Sequence, residues 1–597
     1  MRRKALRFLL ILCAVAALGA SACVSASAVD AKVVSAPSTM IVNTPVSGAL
    51  TSETDYEEYV FSLTQPGVVQ LSFAHSTIEQ NASIGWKITL YEQYSPDGLG
   101  ITLEYREITY NFSGWSDEMS LSNNVGLMPG NYKVKIEAAQ NFTGYEYTFN
   151  VKFTPSTEWE DEFNDSFSRY TELTIDPDAS SPENGAARIF GSSSQRNDGT
   201  SDSDYFMFEL DSDKEVNVTF SHENLSTERM VGWKISVFDE SFNEIAEVDS
   251  GWTATSVSTG PLGLPKGHYY IHVASHIYSG SDYMLLVTAA PLSGWETEIN
   301  DTVLQANALP APGSVSGALS PRDLGFDKDY YKVTVERDGC FTLKFSHANL
   351  GEVKAGWNIV LMDENSVAIH KMVSYWNVAE ITSPKIGLPA GTYYIRIDSD
   401  SRSFNSEKYL LTCDFLEADD WETENNNSPV EADALVLNKS YNGTLIENDV
   451  EYDKDYYKFT ISGYSDVRLM FMHQNLNLKQ EGWVISILND NSENFITVSS
   501  SWDQPLTYSK TITLSPGTYY ICVDTGMYYN SATYSLTLVD ITPPVTGQSV
   551  KSSANEPEEI VYTTPVEPSP ASGLSPACRV CPACVTALPP EKDESIK

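Results

Sequence analysis

The sequence has few cysteines and few basic residues for its length. Eight cysteines in 597 residues are too few to form the scaffold of the fold. Lys and Arg total 38 against 80 Asp and Glu, which gives a formal net charge of -42. Nucleic acids are bound through basic side chains that contact phosphates, so this deficit argues against a nucleic-acid partner.

Long apolar runs and catalytic motifs are also missing. After the N-terminal segment, no stretch reaches the roughly 18 apolar residues that a membrane span requires. The sequence contains no His-Glu-x-x-His and no Gly-x-Ser-x-Gly motif. The repeats described below fill the chain and leave no room for a peptidase domain, so we expect no enzyme.

The N-terminus is typical of a signal peptide. Four basic residues precede an apolar run from Phe8 to Leu18, and small residues then offer cleavage after Ala22 or Ala28. We assign residues 1–28 to this signal and expect a secreted or cell-surface protein. Cys23 follows Ala-Ser-Ala and is either a lipid-attachment cysteine of a bacterial lipoprotein or incidental to a cleaved signal.

What the chain has in abundance is aromatic residues and internal repetition. Its 33 Tyr, 23 Phe and 11 Trp supply the buried area that disordered acidic chains lack. An acidic string that begins Trp-Glu-x-Glu occurs three times, at 159–165, 295–301 and 421–427. Together with further markers it defines four repeats, over residues 33–156, 157–293, 294–419 and 420–543.

Each repeat carries the same markers in the same order. A strand ends in His, a Gly-Trp pair follows, then a second Trp, and then a turn with Pro and Gly that starts another strand. The histidines are His75, His222, His347 and His473, and the Gly-Trp tryptophans are Trp86, Trp233, Trp357 and Trp483.

Residues in these segments alternate with a period of two. Tyr393, Ile395 and Ile397 share one face of a strand, and Trp357 shares a face with Ile359. Short alternating segments separated by turns predict an all-β chain of four tandem antiparallel β-sandwich domains. The same parity places the Gly-Trp tryptophans in the core and the repeated histidines at its edge.

The second tryptophan of each repeat stands among polar residues typical of turns. These residues are ligand candidates for an exposed binding face, and packing under a loop is the alternative. They are Trp115, Trp252, Trp376 and Trp502.

The remaining cysteines leave several readings open. Cys340 and Cys413 lie in predicted strands of one repeat and could form a local disulfide. The segment 544–597 is rich in Pro, Ser and Thr and predicts a disordered tail. Its Cys578, Cys581 and Cys584 either form disulfides, within the tail or between molecules, or bind zinc with a ligand from another chain.

A second acidic element follows each acidic string, directly before an aromatic strand. It reads Asp202-Ser-Asp204, Asp327-Lys-Asp329 and Asp453-Lys-Asp455. Two such clusters meeting in one domain would offer four to six oxygen ligands, which suits calcium better than magnesium. The alternative is that these carboxylates only solubilise loops.

These motifs together resemble the bacterial pre-peptidase C-terminal domain family, which includes the collagen-binding domains of clostridial collagenases. The resemblance rests on Glu-x-Glu-x-Asn-Asp, the Gly317-Ala318-Leu319 turn, Asp-x-Asp-Tyr-Tyr and Leu-Pro-x-Gly-Thr-Tyr-Tyr-Ile. It covers the second to fourth repeats well and the first loosely. It implies a jelly-roll-like β-sandwich with calcium held between the linker before the domain and the loop before an early strand.

Carried over by position, the resemblance implies up to three calcium sites. In the second repeat the ligands would be Glu160, Glu162, Asn164, Asp165, Asp202 and Asp204. In the third they would be Glu296, Glu298, Asn300, Asp301, Asp327 and Asp329. In the fourth they would be Glu422, Glu424, Asn426, Asp453 and Asp455, with Asn427 replacing the linker Asp and putting full affinity in doubt.

The first repeat lacks the Glu-x-Glu string, and we expect no strong calcium site there. Two functions fit these features. The chain is either a secreted or surface protein that binds an extracellular protein or glycan, or a structural spacer of the cell envelope without a specific ligand.

Overall fold

The computed structural model describes residues 36–77, 83–96, 98, 100–139, 144–179, 181–196, 202–225, 230–322, 327–399, 404–446 and 453–543. The predicted signal peptide, Cys23 and the tail cysteines lie outside these residues. The described residues contain β-strands and no helix, and accordingly no helix that could cross a membrane.

Forty strands are distributed evenly, ten to each repeat. The first repeat contains β1 (Ser38–Thr39), β2 (Val46–Ala49), β3 (Tyr56–Leu63), β4 (Gly67–His75), β5 (Ile84–Tyr94), β6 (Glu104–Gly114), β7 (Met119–Leu121), β8 (Val125–Leu127), β9 (Gly130–Ala138) and β10 (Glu146–Pro155). The second contains β11 (Thr171–Leu173), β12 (Asp176–Asp178), β13 (Ser181–Ser192), β14 (Ser203–Leu210), β15 (Lys214–His222), β16 (Val231–Phe238), β17 (Glu244–Gly251), β18 (Ser256–Leu264), β19 (Gly267–Ser275) and β20 (Asp282–Pro291).

The third and fourth repeats follow the same order. The third contains β21 (Asn307–Ala308), β22 (Gly313–Gly317), β23 (Lys328–Val335), β24 (Gly339–His347), β25 (Ala355–Met362), β26 (Ala368–Tyr375), β27 (Glu380–Thr382), β28 (Ile386–Leu388), β29 (Gly391–Ser399) and β30 (Tyr409–Glu417). The fourth contains β31 (Asp433–Ala434), β32 (Ser440–Gly443), β33 (Lys454–Ile461), β34 (Ser465–His473), β35 (Glu481–Asn489), β36 (Asn494–Ser501), β37 (Leu506–Tyr508), β38 (Ile512–Leu514), β39 (Gly517–Thr525) and β40 (Tyr534–Asp540).

Each repeat folds into two five-stranded sheets. In the third repeat one sheet has the order β21-β23-β29-β25-β26, and the other has the order β22-β30-β24-β27 with β28 also paired to β24. The first and fourth repeats share this topology, while the second joins the equivalents of β27 and β28 into the single strand β18. Apolar residues from both sheets form one core in each repeat. The predicted β-sandwich class is therefore confirmed.

One detail departs from the prediction of purely antiparallel sheets. The first strand of each repeat pairs parallel to a later strand, as β21 does with β23. Between these two strands the chain crosses to the other sheet as β22 and returns, so β21 and β23 run in the same direction. The sequence pattern of these two- or three-residue strands carries no signal for this crossing.

The Gly-Trp tryptophans are the centres of the four cores, as their parity predicted. Trp86, Trp233, Trp357 and Trp483 are at most 1% exposed. The repeated histidine packs against each indole in a tilted arrangement, with ring centroids between 4.2 and 4.5 Å apart. In the second repeat Nδ1 of His222 lies 2.6 Å from the Glu223 carbonyl and therefore donates, while Nε2 accepts from the Ser250 hydroxyl at 2.9 Å.

Packing of the second tryptophan explains why a glycine precedes the first tryptophan of each repeat. A Cβ atom at Gly482 would lie 1.9 Å from the Trp502 indole nitrogen, and the three equivalent glycines are covered in the same way at 2.4 to 2.7 Å. Trp115, Trp252, Trp376 and Trp502 are half-buried over these glycines. Packing accounts for one face of each indole, and their part in ligand binding stays a prediction.

The local disulfide that the sequence left open for Cys340 and Cys413 does not form. Both thiols are free and buried. Cys413 pairs with Leu343 across β24 and β30, so the two cysteines differ by three positions in register. Because successive side chains of a strand point to opposite faces, Cys413 faces the core and Cys340 faces away from it.

We expect Gly482→Ala to destabilise the fourth repeat by about 1–3 kcal/mol, because the new methyl group would displace the Trp502 indole. Hydrogen exchange of the β35 and β39 amides measures this loss. Gly463→Ala in the same repeat is the matched control, since no atom lies within 4 Å of its Cβ position, and its effect should stay within about 0.5 kcal/mol. Equal exchange in both variants would contradict the packing role of the indole.

Candidate metal centres

The acidic linkers lie between consecutive repeats and hydrogen-bond to both; we call each such contact a seam. At the seam of the second and third repeats, the Glu296 amide donates to Ser316 of the third repeat at 2.8 Å. The Glu298 amide donates to Gly263 of the second repeat at 2.7 Å. The other two linkers make the same pair of bonds. The backbone of the linker therefore takes its position from both repeats.

A glycine on the preceding repeat makes room for each linker. A Cβ atom at Gly126, Gly263 or Gly387 would lie 1.7 to 1.8 Å from the carbonyl oxygen of the first linker glutamate. In the fourth repeat the equivalent residue of β38 is Thr513, whose hydroxyl donates to Asp466 at 2.5 Å. Among the described residues, glycine stands at this position in the three repeats on which a linker docks, and Thr513 stands there in the fourth.

The linker glutamates meet the second acidic element of the repeat that follows. In each of the second to fourth repeats, one ligand oxygen from each of three buried carboxylates lies within 4.8 Å of the other two. These sets are Glu160, Glu162 and Asp204; Glu296, Glu298 and Asp329; and Glu422, Glu424 and Asp455. The sequence-predicted clusters are therefore brought together.

Backbone and tyrosine donors satisfy only part of each cluster. Oε1 of Glu296 accepts from the Ala318 amide at 2.7 Å, and Oε2 accepts from the Tyr331 hydroxyl at 2.5 Å. Tyr409 donates to the same glutamate at 3.1 Å and also bonds Asp329. The Asn300 side-chain amide donates to Oε2 of Glu296 at 3.2 Å, and the Asn300 backbone amide donates to Oε2 of Glu298 at 3.3 Å.

Several carboxylate and amide oxygens of the clusters are buried without a hydrogen-bond partner in the described part of the chain. In the second repeat these atoms are Asn164 Oδ1 and Asp204 Oδ1. In the third they are Glu298 Oε1, Asn300 Oδ1 and Asp329 Oδ1. In the fourth they are Glu424 Oε1 and Oε2, Asn426 Oδ1, Asp453 Oδ1 and Asp455 Oδ1. Buried oxygens without donors fit a hard cation such as calcium, which binds carboxylate and amide oxygens.

Burial also changes the acidity of the clusters. Burial, reinforced by the neighbouring Glu296, raises the pKa of Glu298 to about 8. Burial together with Asp453 raises the pKa of Glu422 to about 8. The carboxylates of one cluster therefore resist simultaneous ionisation in the absence of a cation, and metal binding would release protons.

Two predicted ligands are engaged elsewhere. Asp165 and Asp301 lie at the rim of their clusters, where Arg196 and Arg322 bind them. Sequence reasoning missed both arginines, although each stands between the acidic string and the second acidic element. It also missed the buried tyrosines that donate to the clusters, which are Tyr283, Tyr331, Tyr409 and Tyr534.

In the described part of the first repeat, a single carboxylate stands where the other repeats have the acidic cluster. Glu57 accepts hydrogen bonds from the Tyr59 hydroxyl at 2.5 Å and from Tyr147. It stands two residues before Tyr59, as Asp329 stands before Tyr331 in the third repeat. Its longer side chain reaches the tyrosine pair that a linker glutamate reaches in the other repeats.

We expect Gly387→Ala to release the linker from the third repeat, because the new Cβ atom would overlap the Glu422 carbonyl. Cys340 is opposite Gly387 in the sheet and only 5% exposed, so it reports on this release. Its labelling by a thiol reagent should accelerate about tenfold, which corresponds to about 1.4 kcal/mol of weaker docking. Labelling is measured on the Cys340 peptide by mass spectrometry.

Cys413 is the internal control for this experiment, since it lies in the core of the same repeat and should label at an unchanged slow rate. Gly463→Ala is the control variant. Unchanged labelling of Cys340 in Gly387→Ala would contradict the role of glycine at the seam.

No family model and no curated protein matches the chain. Among solved structures it is similar to the pre-peptidase C-terminal domain of collagenase from Bacillus anthracis, at 20% identity over 19% of this chain and 99% of that chain, with a TM-score of 0.16. It is similar to the CBM22-1-CBM22-2 tandem domain of Xyn10C from Paenibacillus barcinonensis at 8% identity, over 39% of this chain and 82% of that chain, with a TM-score of 0.14.

A third similarity is to the M60 catalytic domain with the CBM51-1 and CBM51-2 domains of ZmpB from Clostridium perfringens. It has 9% identity and a TM-score of 0.15, and it covers 83% of this chain and 55% of that chain. The chain is thus similar, over a span comparable to one repeat, to the collagenase domain that its motifs resemble.

Proposed function

We propose that this chain is a non-enzymatic extracellular protein in which calcium ions fix three seams between tandem β-sandwich repeats. The repeats would then present their outer faces to an extracellular protein or glycan. The predicted signal peptide supports export, and the acidic composition argues against a nucleic-acid partner.

The unpartnered buried oxygens carry the calcium proposal. A buried polar atom without a partner is costly, and several in one cluster are costlier still. Asp329 and Asn300 each bury one such oxygen in the third repeat and are 0% exposed. A solubilising role for these carboxylates, the alternative considered from sequence, does not account for their burial.

The hydrogen bonds of the linker support a role for calcium in fixing the repeats. Glu296 and Glu298 supply both the candidate ligands and the backbone bonds to two different repeats. A cation that neutralises their carboxylates would therefore hold the linker in the seam. Binding of the ion and ordering of the seam would stabilise each other.

The histidines support the non-enzymatic assignment. A general base needs a ring nitrogen that can reach a substrate. His222 and His347 are 8% exposed, and each has both ring nitrogens at hydrogen-bond distance from a carbonyl and a serine hydroxyl. These repeated histidines therefore act in packing.

The ligand surface is less clearly marked than the metal centres. The second tryptophans are half-buried, so part of each indole remains exposed, which supports their candidacy as contacts. Their packing over glycine equally supports the alternative of a structural spacer, because it accounts for the repeated Trp without a ligand.

We expect three calcium ions to bind the full chain after treatment with a chelator, measured by isothermal titration calorimetry. Asp204→Asn, Asp329→Asn and Asp455→Asn should each remove one ion, because each loses a carboxylate from one cluster. Asp414→Asn, which removes an exposed charge, is the control and should leave three ions. The absence of calcium binding to the unaltered chain would refute the proposal.

A screen of the calcium-loaded chain against collagen, mucin and glycan arrays separates a binding protein from a spacer, which should bind nothing. For a ligand found in this way, we expect Trp376→Phe to weaken binding by about tenfold through loss of indole contact. Tyr464→Ala is the control, since this exposed ring lies in another repeat. Unchanged binding after replacement of all four second tryptophans would exclude them as contacts.

A further inference from the structure

The second and third repeats contain a positive charge inside the candidate metal centre. Arg322 lies 3.0 Å from Asp327 and 3.5 Å from Glu298 and also pairs with Asp301. Arg196 makes the equivalent contacts, at 2.7 Å to Asp202 and at 3.4 Å to Glu162. A guanidinium group thus already binds carboxylate oxygens that calcium would otherwise take.

These arginines also contribute to the seams. Nε of Arg322 donates to the Ile245 carbonyl of the preceding repeat at 2.8 Å, and Nε of Arg196 donates to the Ile108 carbonyl at 3.4 Å. Their side chains are 12% and 8% exposed. Each guanidinium therefore links its cluster to the preceding repeat without requiring a metal ion.

The fourth repeat has no equivalent charge among its described residues. Asn427 stands where the other linkers have aspartate, and its Oδ1 accepts from the Lys454 amide at 2.9 Å as Asp301 accepts from Lys328. No ion pair joins a described basic side chain to Glu424 or Asp453. The sequence position equivalent to Arg322 is Asn448, which lies outside the described residues.

The three clusters differ in how many of their buried oxygens lack a hydrogen-bond partner among the described residues. Two buried cluster oxygens lack a partner in the second repeat, three in the third and five in the fourth. Both oxygens of Glu424 are among the five in the described part of the chain. Oε2 of its equivalent Glu298 accepts from the Asn300 amide at 3.3 Å and from Arg322 at 3.5 Å. The fourth repeat therefore offers the largest set of buried oxygen ligands.

The apolar contacts at the two seams that contain an arginine also differ from those at the last seam. Ile299 of the linker packs against the core of the second repeat, and Phe163 packs in the same way against the first. At the last seam this linker position is Asn425, and Ile446 enters the core of the third repeat instead. Ile446 is 2% exposed, so this seam remains closed by apolar packing while its carboxylates lack a counter-charge.

We infer that the fourth repeat holds the tightest divalent-cation site of the chain, while Arg196 and Arg322 supply internal counter-charge that weakens cation binding in the second and third repeats. The inference rests on the proposed function of the three clusters. A guanidinium beside the ligands repels a second cation and occupies their lone pairs, and both effects lower affinity. The replacement of the linker Asp by Asn427 would then not weaken the site.

The test is calorimetric titration of the chelator-treated full chain with calcium chloride. We expect one tight and two weaker binding events in the unaltered chain. Asp455→Asn should remove the tight event, and Asp329→Asn should leave it in place. If the tight event persisted in Asp455→Asn, the inference would be overturned.

Arg322→Gln tests the role of the guanidinium directly. We expect it to tighten calcium binding in the third repeat by about tenfold or more, because a positive charge next to the site is removed. Arg337→Gln is the matched control, since Arg337 belongs to the same repeat but pairs with Glu417 at an exposed position. Weaker or unchanged calcium binding in Arg322→Gln would overturn the inference.

Two further measurements keep the outcome clear. Arg322→Lys retains the positive charge and should bind calcium with unchanged affinity, which separates charge from a folding defect. Hydrogen exchange of the β23 amides reports folding of the third repeat in the Asp329, Arg322 and Arg337 variants, and exchange of the β33 amides reports folding of the fourth repeat in Asp455→Asn. Three equal sites in the unaltered chain would overturn only this inference, whereas an absence of calcium binding would overturn the proposed function as well.

Discussion

The carboxylates buried at the seams resist simultaneous ionisation, and they are neutralised either by protons or by a positive counter-charge such as Arg322. Glu296 and Glu298 enter their cluster because their own amides are hydrogen-bonded to two different repeats. Moving one repeat would therefore move the carboxylates. Because charges in a buried site cannot be left unpaired, neutralisation of the cluster and order at the seam are coupled.

Under the proposed function, two sources of counter-charge act on the clusters. Arg196 and Arg322 are covalently attached and always protonated, so their contribution does not vary with the calcium concentration. A calcium ion can dissociate. Under the proposed roles, the last seam would respond to calcium more strongly than the first two, and Ile446 would keep its repeats in contact through apolar packing.

Many of the recurring glycines are explained by packing, because another group of the chain lies where their Cβ atom would be. Gly356 and its equivalents admit an indole ring, while Gly263 and its equivalents admit a linker carbonyl. In the fourth repeat Thr513 stands at the position of Gly263, and no described linker docks there. Much of the repeated aromatic pattern is likewise used in packing, as in the contact between the buried rings of Trp357 and His347.

The sequence by itself determined the β-sandwich class, the core position of Trp357 and the three carboxylates that meet in each cluster, but not that Asp301 pairs with Arg322. Strand alternation and repetition are local properties, and they can be read without knowing which strands pair. Only the tertiary structure decided that β21 runs parallel to β23, that Cys340 and Cys413 face opposite ways and that Arg322 pairs with carboxylates of the acidic cluster. Each of these depends on register or on a loop folding back across a seam, and such contacts between distant residues leave no periodic signal in the sequence.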